Sequence, residues 1–92
     1  MAGQDAGQVD SVVRAVLSDV LAIPAERVAT FDRSTGLFGA LPELDSMAVA
    51  GLLTEIEDRL GIVIDDDDVD GDMLATFGAL SDFAAAKVAG TS

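Results

Sequence analysis

Residues 46–61 read SMAVAGLLTEIEDRLG, and their spacing decides the fold class. Val49, Leu52, Leu53, Ile56 and Leu60 recur three or four residues apart, which gathers them on one side of an α-helix. Ala48, Gly51, Glu55 and Asp58 take the opposite side, with Met47, Thr54 and Glu57 along the flank. Gly61 supplies the stop, because glycine accepts the left-handed conformation in which helices commonly end. Gly51 costs about 1 kcal/mol relative to alanine inside an exposed helix, so it points to close approach by another group.

Toward the N-terminus the same period returns in Val9, Val12, Val13, Val16, Leu17, Val20 and Leu21. Asp10 or Ser11 is placed to cap that helix, and Pro24 prevents its extension. Between the two helices, residues 23–45 carry no sustained period. Pro24, Gly36, Gly39 and Pro42 punctuate the segment, while Val28, Phe31, Leu37, Phe38 and Leu41 supply isolated anchors. So long a loop is uncommon in a compact domain and often functional; it is expected to pack on the helices, with room for short helical turns.

Downstream of Gly61, the apolar strip Ile62, Val63 and Ile64 has no second β-patterned segment to pair with and reads as a packed connector. A short third helix is expected within residues 70–75, using Val69, Met73 and Leu74 as contacts. Thr76, Phe77 and Gly78 predict a break. A last helix is predicted over residues 79–88, burying Leu80, Phe83, Ala84 and Val88. The fold class is therefore all-α: a four-helix bundle with a long first loop and a short third helix. One domain is expected over residues 9–89, with flexible tails at 1–8 and 90–92. The Met1 start and the short tails favour a free-standing protein.

Composition narrows the function. Cysteine and histidine are both absent, which removes disulfides, thiolate and imidazole metal sites, cysteine nucleophiles and the commonest general base. That is a poor kit for an enzyme, and none is expected. Half of the 92 residues are hydrophobic, enough for a core without cross-links. The net charge of −12 opposes binding to nucleic acid or anionic membranes and favours basic proteins or divalent cations. Residues 1–8 lack a basic and an apolar targeting region, and no apolar run approaches the roughly 20 residues needed to cross a bilayer. A monomer in the cytoplasm is expected.

Ser46 is the residue on which function turns. A serine before an apolar helical run is ordinarily an N-cap. With no histidine or cysteine in the chain it cannot be activated from within; any reaction at Ser46 needs another protein. Yet Leu44-Asp45-Ser46-Met47 follows a long loop and opens a helix whose far end is acidic. Around it lie Ile23 to Val28, Leu37-Phe38, Leu60-Gly61-Ile62, acidic residues after Ile64, and Thr76-Phe77-Gly78. In order and spacing these resemble the acyl carrier protein family, over roughly Val9 to Val88.

The resemblance implies that Ser46 receives 4'-phosphopantetheine from coenzyme A, through a magnesium-dependent phosphopantetheinyl transferase. Acyl groups are then held as thioesters and presented to acyl-loading and acyl-transfer enzymes. A helix N-terminus suits such a phosphodiester, because its N–H groups and dipole favour an anion. Asp45 lies beside the serine. Glu43, Glu55, Glu57 and Asp58 are candidates to meet basic docking surfaces, and Met47 is a candidate apolar contact. Each also reads as part of a solvated surface.

Carriers of bacterial fatty acid synthesis usually have acidic residues in the first turns after the serine, where this chain has Ala48 and Gly51. That departure points to a specialised lipid, polyketide or exopolysaccharide pathway. The run Leu41 to Met47, with Ile64 through Asp68, resembles carriers of exosortase-associated exopolysaccharide clusters.

Two rival readings stand beside this one. An aminoacyl or peptidyl carrier would load an amino acid on the same arm, although its usual motif contains glycine and histidine. A divalent-cation-binding helical interaction module would use residues 65–72, six of which are aspartate. Asp66, Asp68, Asp70 and Gly71 fit the opening of an EF-hand loop, but the twelfth position is Phe77 where a bidentate glutamate is required. A calcium sensor is therefore not expected there; a weak, non-specific cation site is the remaining alternative.

Overall fold

The computed structural model describes residues 6–90. Helix α1 spans Ala6–Leu21, α2 Ala25–Val28, α3 Ser46–Leu60 and α4 Phe77–Ala89, with a 3-10 turn at Asp66–Asp68. The described chain has no β-strand, as the periodicity requires; an isolated bridge pairs Gly36 with Thr76.

The apolar stripe of α1 is buried at Val9, Val13, Val16, Leu17 and Leu21, with Val12 and Val20 half-buried. This helix is the hub of the molecule, packing on α3, α4 and α2. Its start lies earlier than expected. Asp10 and Ser11 fall inside the helix and cap nothing; Asp10 instead pairs with Arg14, one turn along. Residues 6–8 of the predicted tail are helical, while residues 1–5 and 91–92 lie outside the described residues. The helix also ends before Pro24 acts. Ala22 turns left-handed at φ 56°, and the Ile23 N–H closes back on the Ser18 carbonyl at 3.2 Å.

From α3, Leu52, Ile56 and Leu60 enter the core, whereas Val49 and Leu53 are half-buried. Gly61 ends the helix in the left-handed conformation at φ 66°. Gly51 is not required by close approach. A Cβ there would meet Val20 Cγ1 at 3.7 Å, an ordinary contact.

The predicted break at 76–78 is instead the start of α4. Thr76 caps it, its hydroxyl accepting from the Ala79 N–H at 3.1 Å, and Phe77 and Gly78 are helical and buried. Gly78 is the glycine that the fold demands. An added Cβ would lie 2.8 Å from the Arg33 carbonyl oxygen, so a side chain would push α4 off the loop. Across this seam four main-chain bonds run, from Leu37 to Ala75, Phe38 to Leu74, Phe77 to Thr35 and Gly78 to Arg33.

The expected short helix within 70–75 is also displaced. Residues 71–75 form turns, and the single helical turn falls at Asp66–Asp68. The aspartates explain the shift. Their short carboxylates compete for nearby amides and favour caps and turns over helix interiors. Asp68 accepts from the Asp65 N–H and Asp70 from the Met73 N–H, each closing a local turn. Ile62 is buried and Ile64 half-buried in the connector, while Val63 between them faces solvent.

Candidate functional site

Local capping places Ser46. Asp45 sits in extended conformation, and its carboxylate accepts from the Ala48 N–H at 2.8 Å. Asp45 is therefore the N-cap, and Ser46 is the first helical residue. The ordinary capping role read for Ser46 belongs to its neighbour. This matters chemically, because Ser46 Oγ has no capping bond to make and stands exposed at the head of α3. The N–H groups of Ser46 and Met47 have no acceptor within the helix, as the geometry of any helix start dictates. An exposed hydroxyl beside open N–H groups and the positive end of the dipole fits a phosphodiester attached at Ser46.

The surroundings are apolar. Met47 is 86% exposed and Phe38 45% exposed, so Phe38, expected as an anchor, instead borders the site. In the pair Leu37-Phe38 the loop turns only one side chain inward, and Leu37 takes that place at 0% exposure. Two hollows meet at Ser46. One, about 420 Å³, runs along Phe38 to Leu41, Pro42, Leu44 and Asp45. The other, about 220 Å³, is walled by Phe38, Val49, Val69, Asp70, Gly71 and Leu74. A third hollow of about 400 Å³ lies between α1 and α2 and touches none of the candidate residues.

The structure sorts the predicted docking carboxylates by what each already does. Glu43 pairs with Arg27 at 2.7 Å, which holds its carboxyl below the usual carboxylate range. Glu55 pairs with Arg59, and Arg59 also reaches Asp19 on α1. Glu57 accepts from the Ile64 N–H and so tethers the connector to α3. Of these acids only Asp58 makes no hydrogen bond or ion pair among the described residues. Arg14 pairs with Asp10, Arg33 with Asp82, and Lys87 with Asp68. All five cations of the chain are thus matched internally, and most of the negative excess faces outward.

The weak metal candidates do not converge. Asp68 is held by Lys87 and by the Asp65 N–H, and Asp70 caps the Met73 N–H. Among the described residues no group of three or more metal-ligating side chains is gathered. The sequence reading missed Arg27 and the wall formed by Val69 and Leu74. No spacing rule links α2 to the segment before α3, so only the folded chain brings these residues to the site.

A family model described as a phosphopantetheine attachment site matches residues 11–84. The solution NMR structure of a holo acyl carrier protein from Nitrosomonas europaea superposes with a TM-score of 0.79 at 37% identity. That alignment covers 88% of this chain and 95% of the other. No curated protein sequence gives a significant match.

Proposed function

The chain belongs to the phosphopantetheine-attachment family of carrier proteins, and from that premise we propose that Ser46 is the attachment residue and that the cargo is an acyl group. Members of this family are carriers, not enzymes, and the cofactor is covalent phosphopantetheine. When attached, that arm supplies the thiol that this cysteine-free chain lacks and holds an acyl group as a thioester.

The protein's own residues do the rest. Asp45 fixes the head of α3 by capping Ala48 and leaves the Ser46 hydroxyl exposed. The open N–H groups of the first turn stabilise the negative phosphodiester. Deprotonation of Ser46 falls to the transferase, because the chain has neither histidine nor cysteine to do it. Met47 and Phe38 offer apolar contact beside the serine. The outward negative charge steers basic partners into encounter, raising association rate more than affinity.

The observation that carries this reading is the division of labour at 45–46, with the cap on Asp45 and an unengaged hydroxyl on Ser46. The uncharged first turns of α3, with Ala48, Ala50 and Gly51, support service in a specialised lipid, polyketide or exopolysaccharide pathway. Partners are a phosphopantetheinyl transferase and acyl-handling enzymes. None of the described helices is long and apolar enough to cross a membrane, which is in keeping with the proposed cytoplasmic site of action.

Incubation with coenzyme A, magnesium and a phosphopantetheinyl transferase, followed by intact-mass measurement, tests the assignment. One added phosphopantetheine is expected on the wild type and none on Ser46→Ala. The variant should keep its stability within about 0.5 kcal/mol, as for other exposed substitutions. Loading of a folded Ser46→Ala chain would move the attachment site elsewhere.

A further inference from the structure

Glu43 is the only polar side chain between Thr35 and Asp45. The strap 36–44 is otherwise held by buried Leu37, Leu41 and Leu44, by main-chain turns, and at its start by the Leu37 and Phe38 N–H bonds to Ala75 and Leu74. Glu43 Oε2 accepts from Arg27 Nη1 at 2.7 Å, while Oε1 is enclosed beside the residue's own N–H without a hydrogen bond of normal geometry. Arg27 in turn stands on a short helix tied to α1 at both ends. Ser18 Oγ donates to the Ile23 carbonyl at 2.6 Å, and Arg14 Nη1 to the Val28 carbonyl at 2.8 Å. A polar chain therefore runs from α1 through α2 and Arg27 to Glu43, three residues before Ser46.

We propose that Arg27 is a positioning residue for the loading of Ser46, acting through Glu43 to set the strap that presents the head of α3. The inference rests on Ser46 being the attachment residue. Buried leucines fix how deep the strap lies but are non-directional, and the bonds to Ala75 and Leu74 anchor only its start. At the end beside Ser46 a charge-assisted hydrogen bond fixes the orientation. Without Arg27, the Glu43 carboxylate has an enclosed oxygen and no cation, and turning it out to water rotates the backbone ahead of Asp45. The Asp45 cap on Ala48 is the next link disturbed.

The test is transferase kinetics on the full chain with Arg27→Gln, Glu43→Gln and the exchange R27E/E43R, at temperatures well below unfolding. Both single variants should lower kcat by about threefold to fivefold, the range open to a half-exposed ion pair, with KM little changed. They alter net charge in opposite directions, so a shared loss excludes long-range electrostatics. The exchange should restore kcat. A raised KM in Glu43→Gln alone would make Glu43 a transferase contact and overturn the proposal. So would an unaffected Arg27→Gln, or a loss in both that the exchange does not repair. Amide hydrogen exchange on the unloaded chain gives a readout independent of loading. Arg27→Gln should speed exchange at Ala48 and leave the core of α3 unchanged. If the wild type itself fails to load, the attachment assignment falls, and unaltered exchange at Ala48 would separately remove the positioning role.

Discussion

The strap before α3 and the connector after it both border Ser46, yet they are built from opposite materials. Residues 36–44 carry a single polar side chain, whereas six of residues 65–72 are aspartate. The strap is held from inside, by Leu37, Leu41 and Leu44. The connector is held mainly from its own backbone, with Asp68 and Asp70 accepting from nearby amides and Lys87 pinning Asp68 from α4. Burial resists displacement at any pH or ionic strength, while carboxylate ties respond to both. The strap is therefore held chiefly by burial, with the Glu43–Arg27 pair as its one carboxylate tie, and the connector chiefly by its carboxylates. The bridge from Gly36 to Thr76 joins the strap to the start of α4.

The largest break should come from the strap. Leu37→Ala removes a fully buried side chain and should cost about 2–5 kcal/mol in denaturant unfolding. Asp66→Ala in the exposed connector should stay within about 0.5 kcal/mol. Comparable losses at both positions would erase the distinction. Next comes the seam itself. Gly78→Ala forces a Cβ to 2.8 Å from the Arg33 carbonyl and should cost about 1–3 kcal/mol, with the shifts of Leu37 and Phe38 amides moving most in NMR spectra.

A smaller effect is expected from acid. Lys87 holds the Asp68 carboxyl below its usual range, with the Asp65 N–H assisting. A carboxylate depressed in the folded state stabilises it above the unfolded pKa of about 4, and that contribution is lost as pH falls below it. Lys87→Gln should therefore flatten the loss of stability on acidification through this window. Identical acid titrations of wild type and variant would show that the latch carries none of it. The smallest effect concerns cations. Because no metal-ligating group is gathered among the described residues, magnesium should raise the melting temperature only as much as sodium chloride of matched ionic strength. A calcium-specific rise would instead restore a site to the connector.

Much of the architecture was legible because helical periodicity is a local property. The faces of α1 and α3 could be counted directly, and the Asp45-Ser46 boundary lies in four consecutive residues. Local chemistry was misassigned where two residues compete for one role. Asp45 and Ser46 are both good caps, and the carboxylate took the amide at 2.8 Å. Thr76 likewise turned an apparent break into a helix start. In the connector, a count of apolar contacts favoured a helix at 70–75, but aspartates favour turns over helix interiors, and residues 71–75 stay in turns.

By itself the sequence determined an all-α fold of carrier type with a serine at the head of a helix whose far end is acidic, since period, punctuation and motif are all encoded within a few residues. Only the tertiary structure decided which carboxylates remain available and which apolar side chains border the serine. Glu43, Glu55 and Glu57 look alike as a string of acids, yet each is engaged by a group 4 to 16 residues away. The Glu55–Arg59 pair follows from helical spacing, but the Glu43–Arg27 pair and the Arg59–Asp19 pair depend on distances across the fold, which only the closed chain sets.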